Sequence, residues 1–160
     1  VDERKQSAFV NRKESSLLVL STKAEYSLLA LIELADRYLV AEPITMNEIA
    51  KKQPIPERYL EQICTILRRG GLIQSFRGAK GGYLLARDPW QITVLEVVEL
   101  VEGERLQRDS VEDSTIERDL IYEVWREAKL VAEDILRNVT LQELWQRRDQ
   151  YRQDSPMYYI

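Results

Sequence analysis

The 160-residue chain contains no histidine and one cysteine, Cys64, so the side chains that most often carry proton transfer, nucleophilic attack and zinc ligation are absent or solitary. What it offers instead is hydrogen-bonding and cationic chemistry at two places. Between Pro56 and Arg69 the apolar residues Leu60, Ile63, Cys64 and Leu67 recur at helical spacing. That stripe turns Glu57, Arg58, Glu61, Gln62, Thr65, Arg68 and Arg69 outward and leaves Tyr59 at its boundary. In a major groove Arg matches the guanine edge, Gln matches adenine, and Glu accepts from the cytosine amino group. A few residues on, Arg77-Gly78-Ala79-Lys80-Gly81 sets two cations on a glycine-rich loop, which suits close approach to a phosphate or a minor groove.

Other uses of these residues are less well supported. A nucleotide phosphate loop needs the GxxxxGK[ST] pattern opening a helix; the pattern is missing, and this loop joins two strand-like runs. Cys64 lies on the apolar stripe, where a free cysteine behaves as a small core residue. The carboxylates, Glu96, Glu99, Glu102 and Glu104 among them, read as solvated helix faces rather than an acid–base pair. No catalytic residue, metal site or cofactor is expected.

Charge is unevenly spread. Lys51 to Arg87 carries eight basic residues against two acidic ones, a net +6, which leaves −10 on the rest of a chain whose total is −4. Such polarity fits one basic face for a polyanion on an otherwise acidic body. With 44% hydrophobic and 31% charged residues the composition is globular, and no apolar run approaches the roughly 20 residues that span a bilayer. A lone cysteine and no visible signal peptide predict a reducing, cytoplasmic setting with no membrane role.

These residues must be held by a scaffold, and the pattern predicts a mainly α one. Leu28, Leu31, Ile32, Leu34, Ala35, Tyr38 and Leu39 mark a helix from Ser21 to about Ala41, N-capped by Ser21 or Thr22. Thr45/Glu48, Thr93/Glu96, Ser114/Glu117 and Thr140/Glu143 have the spacing of capping boxes and predict helices near 45–52, 93–102, 114–138 and 140–150. Pro54 and Pro56 place a turn over Gln53 to Ile55 and start another helix, which Gly70-Gly71 stops near Arg69. A helix, a tight turn and a second helix, with Ile49 and Ala50 facing Leu60, Ile63 and Leu67, make a helix-turn-helix. The β-compatible runs Leu72–Phe76 and Gly82–Ala86 add a hairpin, the wing of a winged helix, with Arg77 and Lys80 at its tip. Lys51 and Lys52 suit phosphate contacts.

From Ser114 to Asn138 the residues Ile116, Leu120, Ile121, Val124, Trp125, Ala128, Val131, Ile135 and Leu136 hold a helical period. A small winged domain cannot bury so long a stripe, so Leu120, Val124, Ala128, Val131 and Ile135 are expected to pair with the same helix of a second subunit. A homodimer would meet two half-sites of a palindrome in double-stranded DNA. Trp145, Tyr151, Met157, Tyr158 and Tyr159 either cover that interface or form a loosely attached tail. The expected organisation is an extension (1–20), a winged helix-turn-helix (21–90), a helix and effector-region loop (91–113), a dimerisation helix with a C-terminal helix (114–150) and a tail (151–160).

The segments Ser21-Thr-Lys-Ala-Glu-Tyr26, Pro56-Glu-Arg-Tyr-Leu-Glu-Gln62, Leu67-Arg-Arg-Gly-Gly-Leu72 and Arg77-Gly-Ala-Lys-Gly-Gly-Tyr-Leu-Leu85 resemble the Rrf-type regulators, the family of IscR, NsrR and CymR. The resemblance runs from about Leu20 to Leu144. It implies a dimeric bacterial repressor or activator with a winged-helix head and a long dimerisation helix. It further implies that Tyr59, Glu61 and Gln62 belong to the DNA-reading helix, Arg77 to the wing contact, and Lys23 and Tyr26 to a DNA-proximal first helix. Cluster-sensing members carry three cysteines before the long helix, where this chain runs Gly103-Glu-Arg-Leu-Gln-Arg-Asp-Ser-Val-Glu-Asp113 without one. Alignment on Trp125 and Arg126 puts Asp119 at the last cysteine and Tyr122 where some members have a ligating histidine. Like the CymR branch, this chain would take its signal from a regulatory protein or a small-molecule effector, through the region from Val101 to Tyr122. The leading expectation is a sequence-specific DNA-binding homodimer. Two alternatives stand beside it: a winged-helix module for an acidic protein partner, and an iron–sulfur sensor with oxygen ligands such as Asp119.

Overall fold

The computed structural model describes residues 18–103 and 114–155. Among the described residues the elements follow in order as α1 (Thr22–Asp36), α2 (Met46–Lys52), α3 (Glu57–Arg69), β1 (Ile73–Phe76), β2 (Gly82–Leu85), α4 (Val94–Glu102), α5 (Ile116–Arg137) and α6 (Leu141–Asp154), with a 3₁₀ turn at Pro89–Gln91. The fold is mainly α with a small β-hairpin wing, as the residue pattern predicts. α1 lies at its centre and packs against α2, α3, α4 and α6. Leu31, Leu34, Ile49, Leu60, Ile63, Leu67, Leu72, Ile92, Val97 and Leu141 form the buried core between them.

Local chemistry explains the helix boundaries. Ser21 caps α1 by accepting from the Ala24 amide at 3.1 Å. α1 stops at Asp36, five residues short of the expected end. Residues 37–41 form turns in which the Tyr38 and Ala41 amides bond three residues back, Ala41 takes a positive φ of 52°, and Leu39 and Val40 point into solvent. The Tyr38 hydroxyl donates to Asp88, which ties this turn to the segment before α4.

Among the expected capping boxes only Thr45/Glu48 is complete. The Glu48 amide donates to Thr45 Oγ1 at 3.2 Å and the Thr45 amide donates to Glu48 Oε2 at 2.8 Å. That backbone hydrogen bond, more than the nearby Arg37 and Lys52, holds the Glu48 carboxyl below its usual range. Thr93 and Thr140 cap α4 and α6 alone, because Glu96 pairs with Arg87 and Glu143 with Arg147. α5 is capped by Thr115 rather than Ser114: Thr115 Oγ1 accepts from the Arg118 amide at 3.2 Å, while Ser114 donates to Asp119.

The hairpin pairs Ile73 with Leu85, Gln74 with Leu84, Ser75 with Tyr83 and Phe76 with Gly82. A third segment joins it, because Ile44 exchanges both backbone bonds with Tyr83, at 3.0 and 2.8 Å. This short addition, which the residue pattern does not announce, fastens the entry to α2 against the wing. It forces glycine at position 82, whose φ is +145° and where a Cβ would lie 2.7 Å from the Ile44 carbonyl oxygen. Gly82→Ala is therefore expected to cost about 2 kcal/mol through backbone strain and disruption of the Ile44 bridge. Urea unfolding should show a lower midpoint at unchanged slope; an unaltered midpoint would contradict this reading.

Candidate nucleic-acid interface

The helix-turn-helix is α2, the turn through Gln53 to Ile55, and α3. Ile55 and the α3 residues Leu60, Ile63, Cys64 and Leu67 are buried, as the apolar spacing predicts, and this registers the opposite face of α3 outward. Arg58, Glu61, Gln62, Arg68 and Arg69 are exposed, and Tyr59 is half-buried. Burial in that core pushes the Cys64 thiol up to about 11, so it is neither a thiolate nor a ready metal ligand at neutral pH.

Three of the singled-out residues meet at the start of α3. The Tyr26 and Tyr59 rings pack edge to face with centroids 5.6 Å apart, and the Arg58 guanidinium lies 5.0 Å from the Tyr59 centroid. α1 thus braces the first turn of α3, and Arg58 is held by an aromatic face without losing its charge to a carboxylate. Lys23 is half-buried one turn before Tyr26, and Arg77 and Lys80 are exposed on the connection between β1 and β2. Among the described residues, Lys23, Arg58, Arg77 and Lys80 enter no ion pair, whereas Arg37, Lys52, Arg87, Arg147 and Arg148 all do. Arg58 of α3 and Arg77 and Lys80 of the hairpin are thus open to an outside anion, as is Lys23 of α1.

On α5 no residue is buried. Ile116, Leu120, Ile121, Val124, Trp125, Leu130, Val131 and Ile135 are each at least 55% exposed, and Ala128 is exposed with them. Thr115, Glu117, Arg118, Ile121, Tyr122 and Trp125 line an open hollow of about 620 Å³ near the start of this helix. The rest of the expected effector loop, residues 104–113, lies outside the described residues, as do Met157, Tyr158 and Tyr159 of the tail and the extension before residue 18.

Comparison with known proteins settles the lineage. The Rrf2 model, described as an iron-dependent transcriptional regulator, matches residues 20–147. The chain belongs to the Rrf2 family of transcription regulators. It is similar to the HTH-type regulator CymR of Bacillus subtilis, with 34% identity over 141 residues covering 88% of this chain and 99% of CymR. It is similar also to IscR of Pectobacterium atrosepticum, with 35% identity over 130 residues, 78% of this chain and 77% of IscR. Among solved structures, T. potens IscR superposes with a TM-score of 0.70 at 34% identity over 84% of this chain and 90% of that one. The structure of CymR, titled the global cysteine regulator of B. subtilis, gives 0.66 at 34% identity over 81% and 98%. The protein is thus a DNA-binding regulator of the winged helix-turn-helix type and not an enzyme.

A conventional thiolate-held iron–sulfur cluster does not fit the donors of this chain. Its one thiol is buried in the α3 core, it has no histidine, Asp119 is engaged by Ser114, and among the described residues no three His, Cys, Asp or Glu side chains converge. No helix of the described residues is long and apolar enough to cross a membrane.

The residue pattern missed Glu33. It is 1% exposed on α1, between the buried Ala30 and Leu34, and gathers groups from two other helices. Gln53 Nε2 donates to its Oε1 at 2.7 Å, Lys52 Nζ lies 3.5 Å from its Oε2, and Arg148 Nη1 of α6 lies 3.7 Å from its Oε1. One turn on, Asp36 Oδ1 accepts from Trp145 Nε1 at 2.8 Å and from Arg148 Nη2 at 2.7 Å. Trp145 therefore packs on the head of its own chain, and α6 runs on to Asp154 with Tyr151 exposed. Glu33 was legible only as a carboxylate three residues after Ala30 on an otherwise apolar face.

Burial raises the Asp36 carboxyl, but the Trp145 hydrogen bond together with Arg148 and Lys52 outweighs it and leaves the group below its ordinary 3.8. A depressed folded value contributes stability above the unfolded value and loses it as pH falls through the folded one. Asp36→Asn should accordingly lower stability by a constant amount from neutrality to about pH 5, with the gap closing below 3.8. A gap that persisted unchanged in acid would contradict the assignment.

Proposed function

We propose that the protein acts in the cytoplasm as a homodimer that binds a palindromic operator, with one α3 entering the major groove of each half-site. The observation that carries this reading is the uncovered apolar stripe of α5. A 22-residue helix is about 33 Å long, and its own chain fully buries no residue of it. Pairing with the α5 of a second copy would cover Leu120, Val124, Ala128, Val131 and Ile135 and fix the separation of the two heads. Recognition would then be divided among Arg58, Glu61 and Gln62 at base edges, Tyr59 and Tyr26 as their support, and Lys23, Arg77 and Lys80 at phosphates or the minor groove.

The division into a winged head (21–90), a connecting helix and loop (91–113), a dimerisation segment with α6 (114–150) and flanking extension and tail follows from the same reading. The signal would enter between Val101 and Tyr122 through a small molecule or a regulatory protein, since the donors for a conventional cluster are lacking.

Sedimentation should give twice the chain mass of 18.8 kDa, and Val124→Glu with Val131→Glu should return a monomer that binds operator at least about 100-fold more weakly. A wild-type monomer, or a double variant that stays dimeric, would overturn the assignment of this helix. Arg77→Ala with Lys80→Ala should weaken binding about tenfold or more and flatten its salt dependence by about 0.9 for each phosphate no longer neutralised, whereas Glu61→Ala should alter the preferred sequence. Unchanged affinity, slope and preference in these variants would remove the residues from the interface.

A further inference from the structure

We propose that Glu33 is the positioning residue of the helix-turn-helix, and that Arg148 links it to α6 so that the placement of α5 and α6 sets the hold on the turn before α3. The inference rests on the DNA-binding reading but concerns residues that make no contact with DNA in it.

A carboxylate that is 1% exposed must be neutralised and hydrogen-bonded, and Glu33 is served from two directions. From one side come Gln53, at the C-cap of α2, and Lys52, its last residue. These two residues begin the turn whose direction fixes where α3 starts. From the other side comes Arg148 on α6, a helix separated from α5 by only Asn138, Val139 and Thr140. That connection is itself pinned, since the Val94 amide donates to Val139 O at 2.9 Å and the Leu141 amide to Ile92 O at 3.0 Å. The chain therefore leads from the end of the long helix through α6 to Arg148, and polar contacts lead from Arg148 through Glu33 to the turn of the helix-turn-helix.

One oxygen is the meeting point. Glu33 Oε1 accepts from Gln53 at 2.7 Å, and Arg148 Nη1 stands 3.7 Å from the same atom. This Nη1 is buried and has no hydrogen-bond partner, although the other end of the guanidinium is engaged by Asp36. An orphaned buried donor costs free energy that a small closure removes. Sliding α6 toward α1 would complete the bond to Oε1 and draw on the oxygen that holds Gln53. Withdrawing α6 would leave Glu33 to Lys52 and Gln53 alone. Of the other charged groups in the cluster, Asp36 and Asp149 pair with the Arg148 guanidinium, and Lys52 reaches Asp36 as well as Glu33.

The test is amide hydrogen exchange on the full chain for Arg148→Met, Glu33→Gln and the double variant, together with their affinity for a duplex that the wild-type protein selects from a random pool. Arg148→Met should speed exchange about tenfold in α2 and at Ile55, on another part of the chain, and leave the β1–β2 hairpin unchanged. It should also weaken binding to the selected duplex about tenfold with an unchanged salt slope, and in the Glu33→Gln background it should change neither quantity by more than about twofold. Should Arg148→Met fail to fold, Arg148→Lys, which keeps the charge but has one donor group for two carboxylates, should show the same pattern at smaller size. Exchange that changes only in α6, or effects of the two substitutions that simply multiply, would overturn the coupling. If the wild type selects no duplex, the operator reading fails separately, while the exchange data still decide the link from Arg148 to the turn.

Discussion

A long amphipathic helix that its own chain does not cover places the strongest demand on this molecule. Eight large apolar residues of α5 remain mostly exposed although the head beside them is closely packed. Water makes such a stripe costly unless another apolar surface meets it. Much else becomes intelligible from this demand: the return of the chain through Val139 to Ile92, the docking of α6 on α1, and a head built to be held at a set distance from something else.

Electrostatics divides the remaining surface. Several cations of the body are consumed within it, Arg87 by Glu96, Arg37 by Glu42 and Glu48, and Arg148 by Asp36. Arg58, Arg77 and Lys80 are not, and an acidic remainder makes the contrast steeper. The Tyr26–Tyr59 contact adds rigidity where it is most useful, at the first turn of α3, because a side chain ordered before binding loses less freedom on binding.

Much of this was readable from residue types and spacing, for identifiable reasons. The α3 stripe, the two prolines before it and the glycine pair after it are local signals, so the helix and its outward face could be placed without any tertiary knowledge. Thr45, Thr93 and Thr140 were legible as caps and Glu48 as the partner of Thr45, but the partners of the other two were not: Glu96 and Glu143 find stronger cationic partners, Arg87 from the segment before α4 and Arg147 from the next turn of α6, which local spacing does not weigh. The end of α1 was misplaced because Tyr38 and Leu39 continue the apolar period, while the actual stop depends on a turn tied to Asp88. Ile44's bridge to Tyr83 and the cluster around Glu33 were invisible for the same reason, since each joins residues far apart in sequence.

The central claim, a dimer that reads a palindrome, is tested most directly by footprinting the purified protein on genomic DNA, beginning upstream of its own gene, at two salt concentrations. The account predicts protection of two symmetry-related half-sites about one helical turn or a multiple of it apart, persisting at physiological salt. Uniform protection that vanishes as salt is raised would contradict it, leaving only a basic surface with no sequence to read.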